Sequence, residues 1–154
     1  MSQEEKISRT ILLIEDNEDH AEITQFYINE YADDIEVIWL SDGKIAIDHI
    51  LEINGNSKRI YPWLILLDIN LPKYDGHEVL LRLKSNQSLK EIPVVMFTTS
   101  NSNQDIETAL KGGANSYIQK PIEPDEFAST IAKIIDYWSL NQHEIIVNNL
   151  NHHA

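Results

Sequence analysis

The chain has 154 residues, 42% of them apolar, with 12 Lys and Arg against 25 Asp and Glu, a net charge of −13. That length allows one domain with a single core, and that charge, with no Lys/Arg cluster to offset it locally, excludes nucleic acid and anionic membranes as partners. The absence of cysteine excludes disulfides and thiol chemistry.

Met1 to Arg9 is polar and mixed in charge. The apolar run behind it, Ile11 to Ile14, is too short for a signal-peptide core or a membrane span. A cytosolic, soluble protein is the expectation. Thr10 to Ile14 reads as a first buried strand ending on Glu15-Asp16-Asn17. Residues 18 to 32 read as a helix, acidic in its first turn, with Ile23, Tyr27 and Tyr31 on one face. Ile35 to Leu40 is a second strand. Ser41-Asp42-Gly43 turns into a second helix whose inner face is Ala46, Ile47, Ile50, Leu51 and Ile53. Gly55 to Pro62 is the longest connection and is rich in turn formers.

Trp63 to Asp68 is the stretch around which the rest is arranged. An apolar run bounded by Pro62 and Pro72 reads as a central strand of a parallel sheet, covered on both faces. Asp68 stands at its carboxyl end, where open α/β sheets place their ligand sites; the competing reading is a turn cap. Asp75-Gly76 opens a third helix with Val79, Leu80 and Leu83 inward, and Ser85 to Glu91 is its exit loop. Pro93 to Thr98 is the fourth strand. Ile106, Ala109, Leu110 and Gly113 mark a fourth helix that Gly112-Gly113 ends. Asn115 to Gln119 is the fifth strand, followed by Lys120-Pro121. Phe127, Ile131, Ile134 and Trp138, spaced 4, 3, 4, give a fifth, sheet-covering helix.

Strands alternating with helices argue a doubly wound five-stranded parallel sheet, because each parallel crossover needs a helix. The flavodoxin-like order 2-1-3-4-5, with helices on both faces, makes the first and third strands neighbours and leaves a crevice at their carboxyl ends. In that crevice Glu15, Asp16 and Asp68 converge. Like charges repel and raise one another's pKa, so a fold gains no stability by assembling them. Carboxylates, a backbone carbonyl and waters suit magnesium, which resolves the conflict. Thr98 and Lys120 end the fourth and fifth strands and reach the same rim. Hydroxyl, ammonium, metal site and carboxylate together match a phosphoryl group, with the carboxylate as nucleophile.

These stretches resemble a response-regulator receiver domain of two-component signalling, the CheY-like fold. The resemblance rests on Ile14-Glu15-Asp16-Asn17, Leu67 to Pro72 with Asp75-Gly76, Val94 to Thr98, and Gly113-Ala114 to Lys120-Pro121. It covers roughly residues 9 to 138, with 139 to 154 as a C-terminal extension. It implies Asp68 as phosphoacceptor, Asp16 as direct magnesium ligand, Glu15 as a ligand through water and the Asn70 carbonyl as a further ligand. It also implies that Lys120 pairs with the phosphoryl oxygens, across a cis bond to Pro121. Thr98 is then the switch hydroxyl and Tyr117 the switch aromatic that swings in behind it. The bland reading of Tyr117 is an ordinary aromatic on an edge strand, and Thr99 and Ser100 are turn formers on the same footing. In the family, the positions of Asn70 and Ser100 tune the life of the acyl phosphate; both are small and polar here, so water is expected to reach it and turnover to be fairly quick.

The departures are Glu15 where Asp is more frequent, Ile122 where Phe is common, and the long Gly55 to Pro62 loop. With Thr98-Thr99-Ser100 and Tyr137-Trp138, that loop is similar to the single-domain regulators serving phytochrome-type histidine kinases. The histidines, His20, His49, His77, His143, His152 and His153, show no metal-site spacing. The tail carries Ile145-Ile146-Val147 and Leu150, for which the five-unit fold has no evident place; folding back, pairing with a second copy, docking on a kinase and fraying all stay open.

The resemblance implies a phosphoacceptor switch rather than an enzyme, catalysing only its own phosphorylation and dephosphorylation. Its partners are a sensor histidine kinase or phosphotransfer protein and a downstream protein target, with a symmetric dimer through residues 88 to 125. An aspartate-nucleophile phosphohydrolase of the haloacid-dehalogenase type needs a second Asp where Asn70 stands, and a cap segment. A pseudo-receiver that only binds partners gains nothing from an intact acidic pocket.

Overall fold

In a computed structural model the described residues are 9–54 and 61–153, and of Asn54 and 141–153 only the backbone. The first six residues of the expected Gly55 to Pro62 loop, 55–60, lie outside them. The strands are β1 (Arg9–Ile14), β2 (Ile35–Leu40), β3 (Leu64–Leu67), β4 (Val94–Thr98) and β5 (Ser116–Gln119). All pair in parallel, in the order β2-β1-β3-β4-β5. The helices are α1 (Glu18–Tyr31), α2 (Gly43–Asn54), α3 (Gly76–Ser85), α4 (Asn103–Lys111) and α5 (Pro124–His153).

The apolar runs do what their composition requires. Every residue of β3 and β4 is buried, as strands covered on both faces must be. Alternate residues on one side, Leu12 and Ile14, Ile65 and Leu67, Val94 and Met96, form one core with the inner faces of α2 and α3 and with Ala109 of α4. Their pleat neighbours Ile11, Leu13, Leu64, Leu66, Val95 and Phe97 are also buried, on the opposite side of the sheet.

Three helix faces differ from the spacing read in sequence. In α1 the buried residues are Ala21, Thr24 and Ile28, whereas Tyr31 is exposed and Ile23 and Tyr27 are half-buried. Small side chains let that helix approach closely, and Thr24 is buried without an unmet donor because its hydroxyl donates to the His20 carbonyl at 2.7 Å. Leu51 of α2 and Leu110 of α4 are exposed. Each lies one residue beyond a buried neighbour, Ile50 and Ala109, where a helix turns about 100° away.

Side-chain caps set the helix starts. Asn17 accepts from the His20 amide, Asp75 from Glu78 and Ser102 from Asp105, each at 3.0 Å, which satisfies otherwise orphaned amides. At the other end of α4, Gly113 takes φ +98°, a conformation that stops the helix at little cost only for glycine.

The chain divides into two units, residues 1–120 and residues 121–154. The first holds the sheet and α1 to α4, and the second holds α5. On α5, Phe127, Ile131, Ile134 and Trp138 are buried, as is Ile135. The backbone stays helical to His153, so the segment from Ser139 continues α5 rather than starting a new element. No helix among the described residues is long and apolar enough to cross a membrane.

Candidate functional site

Strand register levels the site. Ile14 pairs with both Leu40 and Leu67, so Glu15 and Asp68, the next residue on each strand, leave the sheet side by side. The Asp68 amide donates to the Ile14 carbonyl at 3.0 Å and the Glu15 amide to the Leu40 carbonyl at 3.0 Å. Thr98 pairs with Gln119, and the Lys120 amide donates to the Thr98 carbonyl at 2.7 Å. Four side chains far apart in sequence thus meet at one sheet edge.

Lys120 donates from Nζ to Glu15 Oε1 and, at 3.1 Å, to Asp68 Oδ2. All three side chains are nearly water-free, 3% exposed for Lys120, 2% for Glu15 and 8% for Asp68. Glu15, Asp16 and Asp68 bring one ligand oxygen each within 4.8 Å of one another. Asp16 is exposed, so the acidic pocket opens to solvent on that side. Two carboxylates and one ammonium leave an excess negative charge, and the protein responds by splitting the two acids. Burial, then the charge of Asp68, pushes Glu15 up to about 7. Burial would raise Asp68 as well, but the Lys120 ammonium and hydrogen bonds from Thr98, Glu15 and Lys120 outweigh it and hold Asp68 below its ordinary value. Asp68 is therefore the anionic acid at neutral pH and Glu15 the proton carrier.

The turn after β3 aims Asp68. Its Oδ1 accepts from the Ile69 amide at 2.7 Å, and the Ile69 carbonyl accepts from the Leu71 and Gly76 amides at 3.0 and 2.8 Å. Asn70 is exposed in that turn. Gly76 is required there, because a Cβ on it would stand 2.1 Å from the Asp68 carbonyl oxygen and 2.7 Å from the Ile69 Cα. Gly76→Ala is expected to cost about 3 kcal/mol, the upper end for overpacking against atoms that cannot yield. A urea midpoint equal to that of the wild type would show that the turn can give way instead.

The structure brings Glu15, Asp16, Asp68, Thr98 and Lys120 together, as the sequence implied. The Lys120–Pro121 bond departs from the expectation: no peptide among the described residues is cis, and trans is the lower-energy isomer even before proline. Tyr117 packs against the core beside β4, with its hydroxyl donating to the Ser100 carbonyl at 2.9 Å. Thr98 is fully buried and accepts from the Ser100 amide at 3.3 Å.

Two site residues went unseen in the sequence. His20, in the first turn of α1, places Nδ1 at 3.1 Å from Lys120 Nζ. Burial, then the charge of Lys120, lowers its pKa, so the neutral ring can accept from the ammonium. Trp39 donates from Nε1 to the Glu15 carbonyl at 2.6 Å. The spacing of His20 from the Glu15-Asp16 pair places it on the site side of α1, but Trp39 carries no such signal.

This fold and this cluster define a class, and comparison with known proteins agrees. The model of the response regulator receiver domain matches residues 11–132, and the chain belongs to that family, as a receiver-domain response regulator of two-component signalling. It is 40% identical over 128 residues to the probable methanogenesis regulatory protein FilR2 of Methanothrix harundinacea, covering 83% of this chain and 82% of that protein. It is 35% identical over 138 residues to response regulator Rcp1 of Synechocystis, covering 90% and 94%. Among solved structures, that of the phosphorylated cyanobacterial phytochrome response regulator RcpA aligns with a TM-score of 0.77 at 35% identity, covering 84% of this chain and 93% of that one.

Proposed function

We propose that Asp68 accepts a phosphoryl group from a phosphohistidine of a sensor histidine kinase or phosphotransfer protein, and that the resulting charge switches the surface offered to a protein target. The observation that carries this reading is the buried Asp68, ionised and fixed 3.1 Å from the Lys120 ammonium beside two more carboxylates. An Asp68 oxygen attacks phosphorus as the N–P bond to the donor histidine breaks, and the leaving imidazole takes a proton. Lys120 and the Thr98 hydroxyl stand where they can receive the phosphoryl oxygens.

The donor set is all oxygen and acidic, which suits a hard divalent cation such as Mg²⁺. Asp16, Asp68 and the Asn70 carbonyl would hold it directly and Glu15 through water. When bound, it neutralises charge developing on the phosphoryl oxygens. A cation there would favour the ionised form of Glu15. Protonated Glu15 opposes binding, so apparent Mg²⁺ affinity is expected to rise as pH increases through about 7. Titrations followed by tryptophan emission, to which Trp39 contributes beside the Glu15 carbonyl, read this affinity, and an affinity flat across that range would contradict the proton assignment.

Similarity to the cyanobacterial phytochrome response regulator RcpA supports a phytochrome-like kinase as the donor. Within this reading the protein is a switch rather than an enzyme acting on a separate substrate, it works in the cytoplasm, and exposed Leu110 contributes to a dimer face. The test is incubation with Mg²⁺ and acetyl phosphate, or with beryllofluoride, followed by intact mass, tryptophan emission and sedimentation. A Mg²⁺-dependent response lost in Asp68→Asn is expected. No response in any readout would leave the partner-binding pseudo-receiver as the better reading.

A further inference from the structure

We infer that His77 and Asp105 are positioning residues of a second link, made of hydrogen bonds outside the phosphoryl pocket, between the turn beneath Asp68 and the switch aromatic Tyr117. The inference rests on the phospho-switch reading above. Its first member is His77, directly after the Gly76 that packs on the Asp68 carbonyl. His77 Nε2 lies 3.1 Å from Asp105 Oδ1 on the first turn of α4. The other oxygen, Asp105 Oδ2, accepts from the Ser100 hydroxyl at 2.6 Å. Ser100 in turn accepts, through its carbonyl, from the Tyr117 hydroxyl at 2.9 Å.

Every polar group of Ser100 is thereby engaged. Its amide donates to Thr98 Oγ1 at 3.3 Å, and its hydroxyl oxygen also accepts from the Ser102 amide at 3.3 Å. Asp105 has both oxygens in use, and its amide donates to Ser102 Oγ at 3.0 Å. The β4–α4 loop therefore moves with Asp105 or not at all, and Tyr117 moves with the loop. Charge-assisted bonds of this kind are shorter and stronger than neutral ones, and hydrogen bonds from Ser100 and then from His77 hold the Asp105 carboxyl below its ordinary range.

The ring of His77 shows which contact dominates. Its Nδ1 is buried and meets no hydrogen-bond partner among the described residues, a costly arrangement for a polar atom. The orientation keeps Nε2, the nitrogen that donates to the acceptor-only carboxylate, on Asp105 at that expense. Thr98, in the phosphoryl pocket, accepts from the Ser100 amide; His77 on α3 and Asp105 on α4 meet Ser100 from outside that pocket. With the link intact, Tyr117 is held in the packing seen here. With it broken, that inward packing, the one the switch reading couples to a phosphoryl group on Asp68, is a smaller fraction of the population, and a phosphoryl mimic that favours it binds more weakly by that fraction.

The full chain with Mg²⁺ is titrated with beryllofluoride and followed by tryptophan emission, to which Trp39 contributes from the site and away from the link. His77→Leu and Asp105→Ala are each expected to raise the midpoint about tenfold, while His77→Gln, whose amide can donate from the same place, stays within about twofold of wild type. In a Tyr117→Phe background, His77→Leu is expected to add nothing, because the end of the link is already gone. A merely structural role predicts the opposite on both counts, no rescue by Gln and an undiminished loss beside Tyr117→Phe, and either result overturns the link. So do wild-type midpoints in variants whose urea transitions show them folded. Ser100→Ala removes the middle hydroxyl alone and carries the comparison if Asp105→Ala does not fold. A wild type as unresponsive as Asp68→Asn rejects the switch itself; a responsive wild type with unaffected variants rejects only the link.

Discussion

Asp68→Asn is expected to abolish stable phosphoryl incorporation, a loss on the order of a thousandfold or more in rate, because an amide oxygen is no nucleophile toward phosphorus. The neighbours offer no replacement. Glu15 is buried against Lys120 and carries a proton up to about pH 7. Asp16 is exposed at the edge of the cluster and lacks the Lys120 contact that fixes Asp68. The variant should still fold, since an asparagine oxygen can accept from the Ile69 amide as Asp68 Oδ1 does at 2.7 Å. Intact mass after acetyl phosphate and Mg²⁺ is the measurement. A phosphate adduct on the asparagine protein would move the acceptor elsewhere.

Lys120→Ala is expected to give the largest loss of stability in the molecule, about 3–5 kcal/mol, because it strips the counter-charge from two buried carboxylates. The loss depends on pH in a definite direction. Glu15 already titrates above its unfolded value, pushed up to about 7 from 4.5. Without the ammonium it rises further, since burial and Asp68 then act unopposed. A carboxyl with a raised folded pKa binds its proton more tightly in the native state, so stability falls as pH climbs from the unfolded value through the folded one. Urea transitions should therefore separate variant from wild type least near pH 4.5 and most above pH 7, and Mg²⁺ should narrow the gap. The same deficit at both ends of that range would mean that Lys120 acts by packing, for example over the Phe97 ring at 6.0 Å, and not by charge. Asp68 remains in this variant, so phosphoryl acceptance should persist while the coupling to Thr98 and Tyr117 weakens.

The sequence by itself determined the five strands, their ends and the acidic residues that follow them. Strands covered on both faces, such as Leu64 to Leu67 and Val94 to Thr98, are written as unbroken apolar runs, and a carboxylate just past such a run is placed by strand geometry alone. Helix starts at Asn17, Asp75 and Ser102 rest on contacts only three residues long, which short motifs can carry.

Only the tertiary structure decided which helix residues turn inward, because that depends on how closely each helix can approach. Ala21 and Thr24 outrank Tyr31 in α1 for being small, and Leu51 and Leu110 fall just past the covered face. Spacing likewise gave no reason to join His20 to Lys120, 100 positions apart, or His77 to Asp105, 28 apart. Proton placement was equally hidden: Glu15 and Asp68 look alike in sequence, and burial pushes both up, but Lys120 and hydrogen bonds including that from Thr98 outweigh it only at Asp68. The charge a buried group carries is set by neighbours that the fold alone brings together.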